Sequence, residues 1–435
     1  MKFHLISLGC PKNTADSEVV AADLERRGLV WVSSADEADL VLINTCGFIK
    51  DAKEESLRTV MQVLALKDER PELRVAVFGC MIKRYRDEIA KEIPEIDLVF
   101  EFFSGCELDG MISRITETPR PPRAGRNTWV PSARRFTPPH IGFLKIAEGC
   151  SNHCAYCAIP GIRGPFHSRP FAEIIRDAER LAATGAKEVN IVAQDTTRFG
   201  TDHGGACRLP ELVEKLGAVP GIDWIRLHYL HPARVTPDLL DDLYRLPKLV
   251  PYFDIPFQHA SDRMLTLMNR GTDRRHLVSL IGHIRRTWRK ATIRTTFIVG
   301  FPGETDEDFA QLIEFIQEHP IDRVGAFPYS PEDGTPALKI RPRVLKPEKT
   351  RRLDELMTLQ QVLSAERNQK LVGSLQHVMV DVVENGAATA RLPGDAWEVD
   401  NTVTFAAKAN ITPGDIIKVK ILSADAYDFA AEVHG

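Results

Sequence analysis

The segment GFLKIAEGCSNHCAYCAIPGIRG, residues 142–164, carries a short apolar run before three cysteines, Cys150, Cys154 and Cys157, spaced C-x3-C-x2-C with Tyr156 ahead of the last. An apolar run of this length reads as a strand, so the cysteines occupy the loop leaving its carboxyl end. A tight loop with three thiolates can bind three irons of a four-iron cluster and leave the fourth iron open to an external ligand. The competing reading is a zinc site completed by His153, although zinc knuckles pair two C-x2-4-C units and no second pair lies nearby.

Downstream, EVNIVA (188–193), WIRLHY (224–229), YFDIPFQ (252–258), IRTTFIV (293–299) and RVGAFP (323–328) alternate with helix-length segments such as Pro170 to Thr184 and Arg274 to Lys290. With GFLKI they make six βα units, a partial barrel shorter than the eight-unit form, with Cys150 on its catalytic face. A long polar helix is expected from Lys346 to about Leu371. Beyond it, VMVDVV, ATARL, VTFAA, IIKVKIL and DFAAEV, with turns at ENG, PGD and TPGD, predict a small antiparallel β-barrel.

Upstream, the proline- and arginine-rich stretch from 118 to 140 has no periodicity and reads as a linker. Before it, LISLG runs into Cys10, LVLINT into Cys46 and VAVFG into Cys80, with helical spacing from Asp16 to Arg27 and from Lys53 to Leu66. This rhythm predicts a parallel sheet with helices on its faces and the three cysteines beyond the carboxyl ends of its strands. By spacing alone, a second metal site and three buried cysteines acting as small hydrophobes stay equally open. The fold class is therefore α/β, divided into 1–117, a linker 118–140, a barrel 141–371 and a terminal barrel 372–435.

A chain of 435 residues exceeds the roughly 250 to 300 at which one core stops growing. The apolar fraction of 43% and charged fraction of 27% are those of a globular protein. No apolar stretch is long enough for a membrane span, and the N-terminal apolar run is too short for a signal peptide. A cytoplasmic protein without a membrane partner is expected. In that compartment eight cysteines point to metal or catalysis rather than disulfides. The net charge of −4 argues against a simple polybasic nucleic-acid binder, and no DNA partner is expected.

The C-x3-C-x2-C spacing with an aromatic before the third cysteine resembles the signature of the radical S-adenosylmethionine superfamily. The resemblance implies a (βα)6 TIM-like barrel and S-adenosylmethionine on the open iron. Its reductive cleavage would give a 5'-deoxyadenosyl radical. It also places Tyr156, and Gly300 and Gly303 of VGFPGE (299–304), near that cofactor. A plain strand-to-helix turn accounts for VGFPGE equally well.

GCPKNTADSE (9–18), INTCGF (43–48) and FGCM (78–81) are similar to the N-terminal domain of the methylthiotransferase family, and the terminal barrel is similar to a TRAM domain. This resemblance covers the whole chain and implies an auxiliary 4Fe-4S cluster on Cys10, Cys46 and Cys80 beside the radical 4Fe-4S cluster on Cys150, Cys154 and Cys157. Cys106 and Cys207 match no ligand position and are expected to be free thiols.

Within the family, LKIAEGCSNHCAYCAIPGIRG (144–164), YFDIPFQHASDRMLTLMNR (252–270) and VGAFPYSPEDGTPA (324–337) look like the branch that acts on ribosomal protein uS12. That branch implies methylthiolation of the β-carbon of an aspartate. One S-adenosylmethionine would methylate a sulfur on the auxiliary cluster, and a second would yield the hydrogen-abstracting radical. The implied partners are uS12 or the small ribosomal subunit, and an electron donor such as flavodoxin or ferredoxin. The alternative is the branch that methylthiolates an adenosine of transfer RNA, which has serine-glycine-serine where His259, Ala260 and Ser261 stand. From Val372 onward nine acidic residues oppose four basic ones, a formal balance of −5 that suits a basic protein better than RNA.

Overall fold

A computed structural model describes residues 1–101, 110, 113–114 and 135–434. Most of the expected linker, and Cys106, lie outside the described residues.

The first unit is built on LVLINT. This uninterrupted apolar run is buried along its whole length, as a central parallel strand must be when helices cover both faces. The strands are β1 (Lys2–Ser7), β2 (Val30–Trp31), β3 (Leu40–Thr45), β4 (Arg74–Gly79) and β5 (Leu98–Val99). They pair in the order β2-β1-β3-β4-β5, all parallel. Helices α1 (Pro11–Arg26), α2 (Lys50–Ala65) and α3 (Cys80–Glu92) cross between them. Cys10 is the residue before α1, with Pro11 at the first helical position.

The central unit has β6 (Ile141–Lys145), the short β7 (Ala147–Glu148) and β8 (His167–Ser168), and then β9 (Glu188–Val192), β10 (Trp224–Leu227), β11 (Leu249–Asp254), β12 (Thr292–Val299) and β13 (Arg323–Pro328). The six long strands form one parallel sheet in the order β13-β12-β11-β10-β9-β6. β6 and β13 remain as free edges, so the barrel is open along one side. The helix Lys346–Gln369 closes the unit.

The terminal unit is a closed five-stranded barrel of β14 (Leu375–Glu384), β15 (Ala387–Arg391), β16 (Thr402–Ala406), β17 (Ile416–Ala424) and β18 (Asp428–Val433). The expected wholly antiparallel barrel needs one correction, because β16 and β18 pair in parallel. A closed ring with an odd number of strands cannot alternate direction all the way round.

The first unit reaches from β6 to the loop that follows β13. On one side Lys145, at the end of β6, pairs with Asp16 of α1. On the other side Glu332, just after β13, accepts from Lys53 of α2 at 2.9 Å and from Arg84 of α3 at 2.7 Å. The terminal unit is seated against the same strands. Glu188 of β9 is fully buried and pairs with Arg226 at 2.7 Å and Arg391 at 2.8 Å. Burial alone would raise its carboxyl, but the two guanidinium groups outweigh that and hold it at about 2. Asp381 pairs with Arg391, Asp395 with Arg323, and Asp400 accepts from Tyr252.

Glu18 of α1 is buried where it accepts from the Phe136 N–H at 3.1 Å. Burial pushes its carboxyl up from 4.5 to about 8, although the Phe136 N–H and Arg135 act in the opposite direction. The folded state then holds a proton that the unfolded chain has released, so stability falls as pH rises from 4.5 to about 8. Glu18→Gln is expected to flatten this slope and raise the melting temperature at the alkaline end. An unchanged dependence of melting temperature on pH would count against the assignment.

Candidate metal centre

Asn13, one turn into α1, ties the three cysteine loops of the first unit together. Its amide donates to the carbonyls of Leu8 at 2.9 Å and Thr45 at 3.3 Å, and its own carbonyl accepts from Asn44 at 2.9 Å. Its Oδ1 lies 3.7 Å from Cys80 Sγ. Gly9 has φ +91°, and a Cβ there would fall 2.8 Å from the Cys46 Cβ, so only glycine lets the first two loops touch. Gly79, at φ +102°, plays the same part for Cys80, since a Cβ would lie 2.2 Å from Asn44 Oδ1.

Burial pushes the Cys46 thiol up to about 12 and raises Cys80. Cys10 is half-buried, and there Lys12, Arg163 and backbone N–H groups outweigh the burial and lower it. Three adjacent thiols, two of them buried, cannot all ionise without added positive charge, which is what iron supplies.

The second set is folded by its own loop. The Cys150 N–H donates to Gly164 O at 3.0 Å, the Cys157 N–H to Cys154 O at 3.1 Å, and the Ala155 N–H to Met268 O at 2.9 Å. Arg270 donates to Cys154 Sγ at 3.4 Å. Burial pushes Cys157 up to about 12 and raises Cys150. His153 is exposed, and among the described residues no three His, Cys, Asp or Glu side chains converge as they would on a single ion. The zinc reading has no support in this geometry. A four-iron cluster takes its thiolates at separate corners of a cube, so its cysteines need not converge on one point as the ligands of a single ion do.

Arg163 joins the two sets. It belongs to the short helix Ile159–Arg163 that follows Cys157, and its side chain is 2% exposed. It donates to Asp16 at 2.9 Å, Glu148 at 3.1 Å, Asn13 at 2.7 Å and Cys80 Sγ at 3.4 Å. One arginine from the loop of the second set thus touches a cysteine of the first. A hollow of about 540 Å³ opens beside this contact, lined by Lys83, Arg84 and Tyr85 of α3 and by Cys154 and Cys157.

Tyr156 is half-buried and packs on the cluster of Met264, Met268 and Phe301. Gly300 and Gly303 lie in the turn after β12, flanking Phe301, which shares its apolar cluster with Ala155 of the cysteine loop and with Tyr156. Their N–H groups already donate to Glu304 and to Pro342 O. His259 is fully buried; its Nδ1 accepts from the Ala260 and Ser261 N–H groups, which leaves Nε2–H to donate to Glu304 at 3.0 Å. Cys207 is a half-buried free thiol.

Sequence reasoning did not single out Asn13, Asp16, Lys145, Glu148 or Arg163. The available signal was the placing of Asn13 and Asp16 three apart on one helix face, within two turns of Cys10. Arg163→Gln is expected to cost about 3 kcal/mol, because it leaves buried carboxylates short of a cation. It should also release iron from the first set before the second under chelation. Iron counts and thermal unfolding check this, and equal release from both sets would contradict it.

Three family models match the chain in series: uncharacterized protein family UPF0004 over residues 2–101, the Radical SAM superfamily over 144–316 and the TRAM domain over 372–433. Among solved structures, the radical S-adenosylmethionine methyltransferase TsrM from Kitasatospora setae aligns with a TM-score of 0.54 at 14% identity, covering 88% of this chain and 79% of that one. At that identity the likeness speaks for the fold alone. The curated relatives are much nearer. Ribosomal protein uS12 methylthiotransferase RimO of Pelotomaculum thermopropionicum is 41% identical, covering 99% of both chains. RimO of Clostridioides difficile is 39% identical, covering 100% of this chain and 99% of its own. With six cysteines gathered into two sets across one domain contact, and such identity from end to end, the chain belongs to the ribosomal protein uS12 methylthiotransferase RimO family.

Proposed function

We propose that Cys10, Cys46 and Cys80 hold an auxiliary 4Fe-4S cluster, that Cys150, Cys154 and Cys157 hold a radical 4Fe-4S cluster, and that the enzyme methylthiolates the β-carbon of an aspartate in uS12. The observation that carries this reading is the contact of Arg163 with Cys80, which joins the two sets across a domain boundary. Bound there with S-adenosylmethionine, the clusters supply a hydrogen-abstracting radical and a methylthio group.

The chain's own residues supply position and charge. Asn13 and Arg163 hold the cysteine loops at fixed separation, so hydrogen removal and sulfur delivery can meet at one carbon before the radical is lost. Arg270 beside Cys154 and Arg163 beside Cys80 offset thiolate charge. Tyr156 is proposed to flank S-adenosylmethionine. Gly300 and Gly303, whose N–H groups are already used, would contribute only the shape of their turn. The Lys53 and Arg84 pairs with Glu332 hold the first unit against the loop that follows β13.

The charge argument for a protein substrate is weaker than the sequence count implies. Asp381, Asp395 and Asp400 are used inside the molecule. What faces solvent on the terminal barrel is Glu384, Glu398, Asp425, Asp428, Glu432 and the half-exposed Asp415 against Lys408, Lys418 and Lys420. The reading of uS12 as substrate therefore rests on the relatives. Among the described residues no helix is long and apolar enough to cross a membrane. A cytoplasmic location and a flavodoxin or ferredoxin as reductant complete the proposal.

Anaerobic reconstitution should load about eight irons per chain, and Cys80→Ala about four. Mass spectrometry of uS12 from cells lacking the protein should show loss of the methylthio group. An unchanged uS12 beside altered transfer RNA would place the activity in the tRNA branch instead.

A further inference from the structure

Lys12 stands two residues after Cys10 in α1 and is 8% exposed. Its ammonium lies 3.4 Å from the centroid of the Tyr229 ring, and among the described residues it forms no ion pair. The neighbouring carboxylates are already used: Asp16 and Glu148 each pair with both Lys145 and Arg163. Lys145 and Arg163 thus match these two carboxylates, and the groups Lys12 faces are Tyr229 and the Cys10 thiol. A buried ammonium with no carboxylate of its own is a ready partner for one that a ligand brings.

The platform beneath Lys12 is also unusual. Tyr229, just beyond β10, has φ +58°, a left-handed conformation that bulky residues rarely adopt. Its N–H donates to Asp254 at 3.1 Å and its carbonyl accepts from the Thr196 N–H at 3.2 Å, so the strained backbone is held from two sides. Ala15, Phe143 and Val192 form an apolar cluster against which Tyr229 and Trp397 pack. All three units meet there, and an apolar surround strengthens any charge pair made beside it.

We propose that Lys12, seated on Tyr229, receives the side-chain carboxylate of the substrate aspartate and so turns the adjacent β-carbon toward Cys10 and its partners. This deepens the uS12 reading and rests on it. Lys12 is the residue that makes the site select an acidic side chain. The rival is that Lys12 serves only to balance charge on the auxiliary set.

The test uses the full, reconstituted chain with uS12 and with uS12 whose target aspartate is changed to asparagine. Wild type should discriminate against asparagine by about 100-fold in kcat/KM, the usual scale for losing one partner of a buried charge pair. Lys12→Met, which keeps side-chain length without charge, should retain its iron and its visible spectrum yet treat the two substrates within a few-fold of each other. Lys12→Arg should restore most of the preference. Discrimination that persists in Lys12→Met overturns the assignment of Lys12 alone, as does loss of auxiliary iron in that variant. A wild type that leaves uS12 unmodified overturns the uS12 reading and this inference with it.

Discussion

The structure depends on a buried cluster of opposite charges at one domain contact, in which Arg163 and Lys145 meet Asp16 and Glu148. Moving Arg163, Lys145 and Asp16 out of water is expensive, with Glu148 partly exposed beside them, and the mutual attraction returns the cost only when the donors and acceptors are matched. Because Asp16 lies in the helix that starts at Cys10, and Arg163 in the loop that carries Cys157, completing the cluster sets both cysteine triplets in one geometry. Glu148 is driven far below the ordinary carboxylate range although burial alone would raise it, because Lys145 and Arg163 outweigh burial.

The open barrel makes this contact necessary. Six parallel strands do not close, and their exposed edges would invite further pairing. The first unit packs along β6 through α1 and reaches the loop after β13 with side chains rather than with another strand. The terminal barrel is anchored by a second ionic set around Glu188, Arg226 and Arg391. Both attachments use arginine with carboxylate, whose planar, forked geometry gives directional bonds where an apolar seam would allow sliding.

Much of this was legible in the sequence because it is local. The six strands of the central sheet, the apolar run ending at each of Cys10, Cys46 and Cys80, and the C-x3-C-x2-C loop are patterns of neighbours along the chain. Arg163 and Lys12 were not legible, since nothing local tells a buried arginine or lysine from a solvated one. Their roles depend on partners such as Asp16 and Tyr229 that are distant in sequence. The terminal charge count misled for the same reason: Asp381, Asp395 and Asp400 count as surface acids in a composition, yet each is matched inside the molecule. The all-antiparallel expectation failed because strand patterns carry no information on direction, whereas ring closure with five strands does.

The hollow between α3 and the radical-cysteine loop is about 540 Å³, room for a few side chains and no more. With walls made by two units locked together through Glu332, it is not free to widen like a hinged cleft. A globular surface could not descend into it. A side chain entering this hollow is better carried by a slender projecting loop than by a broad surface, so the shape of the bearing chain screens candidates before chemistry does.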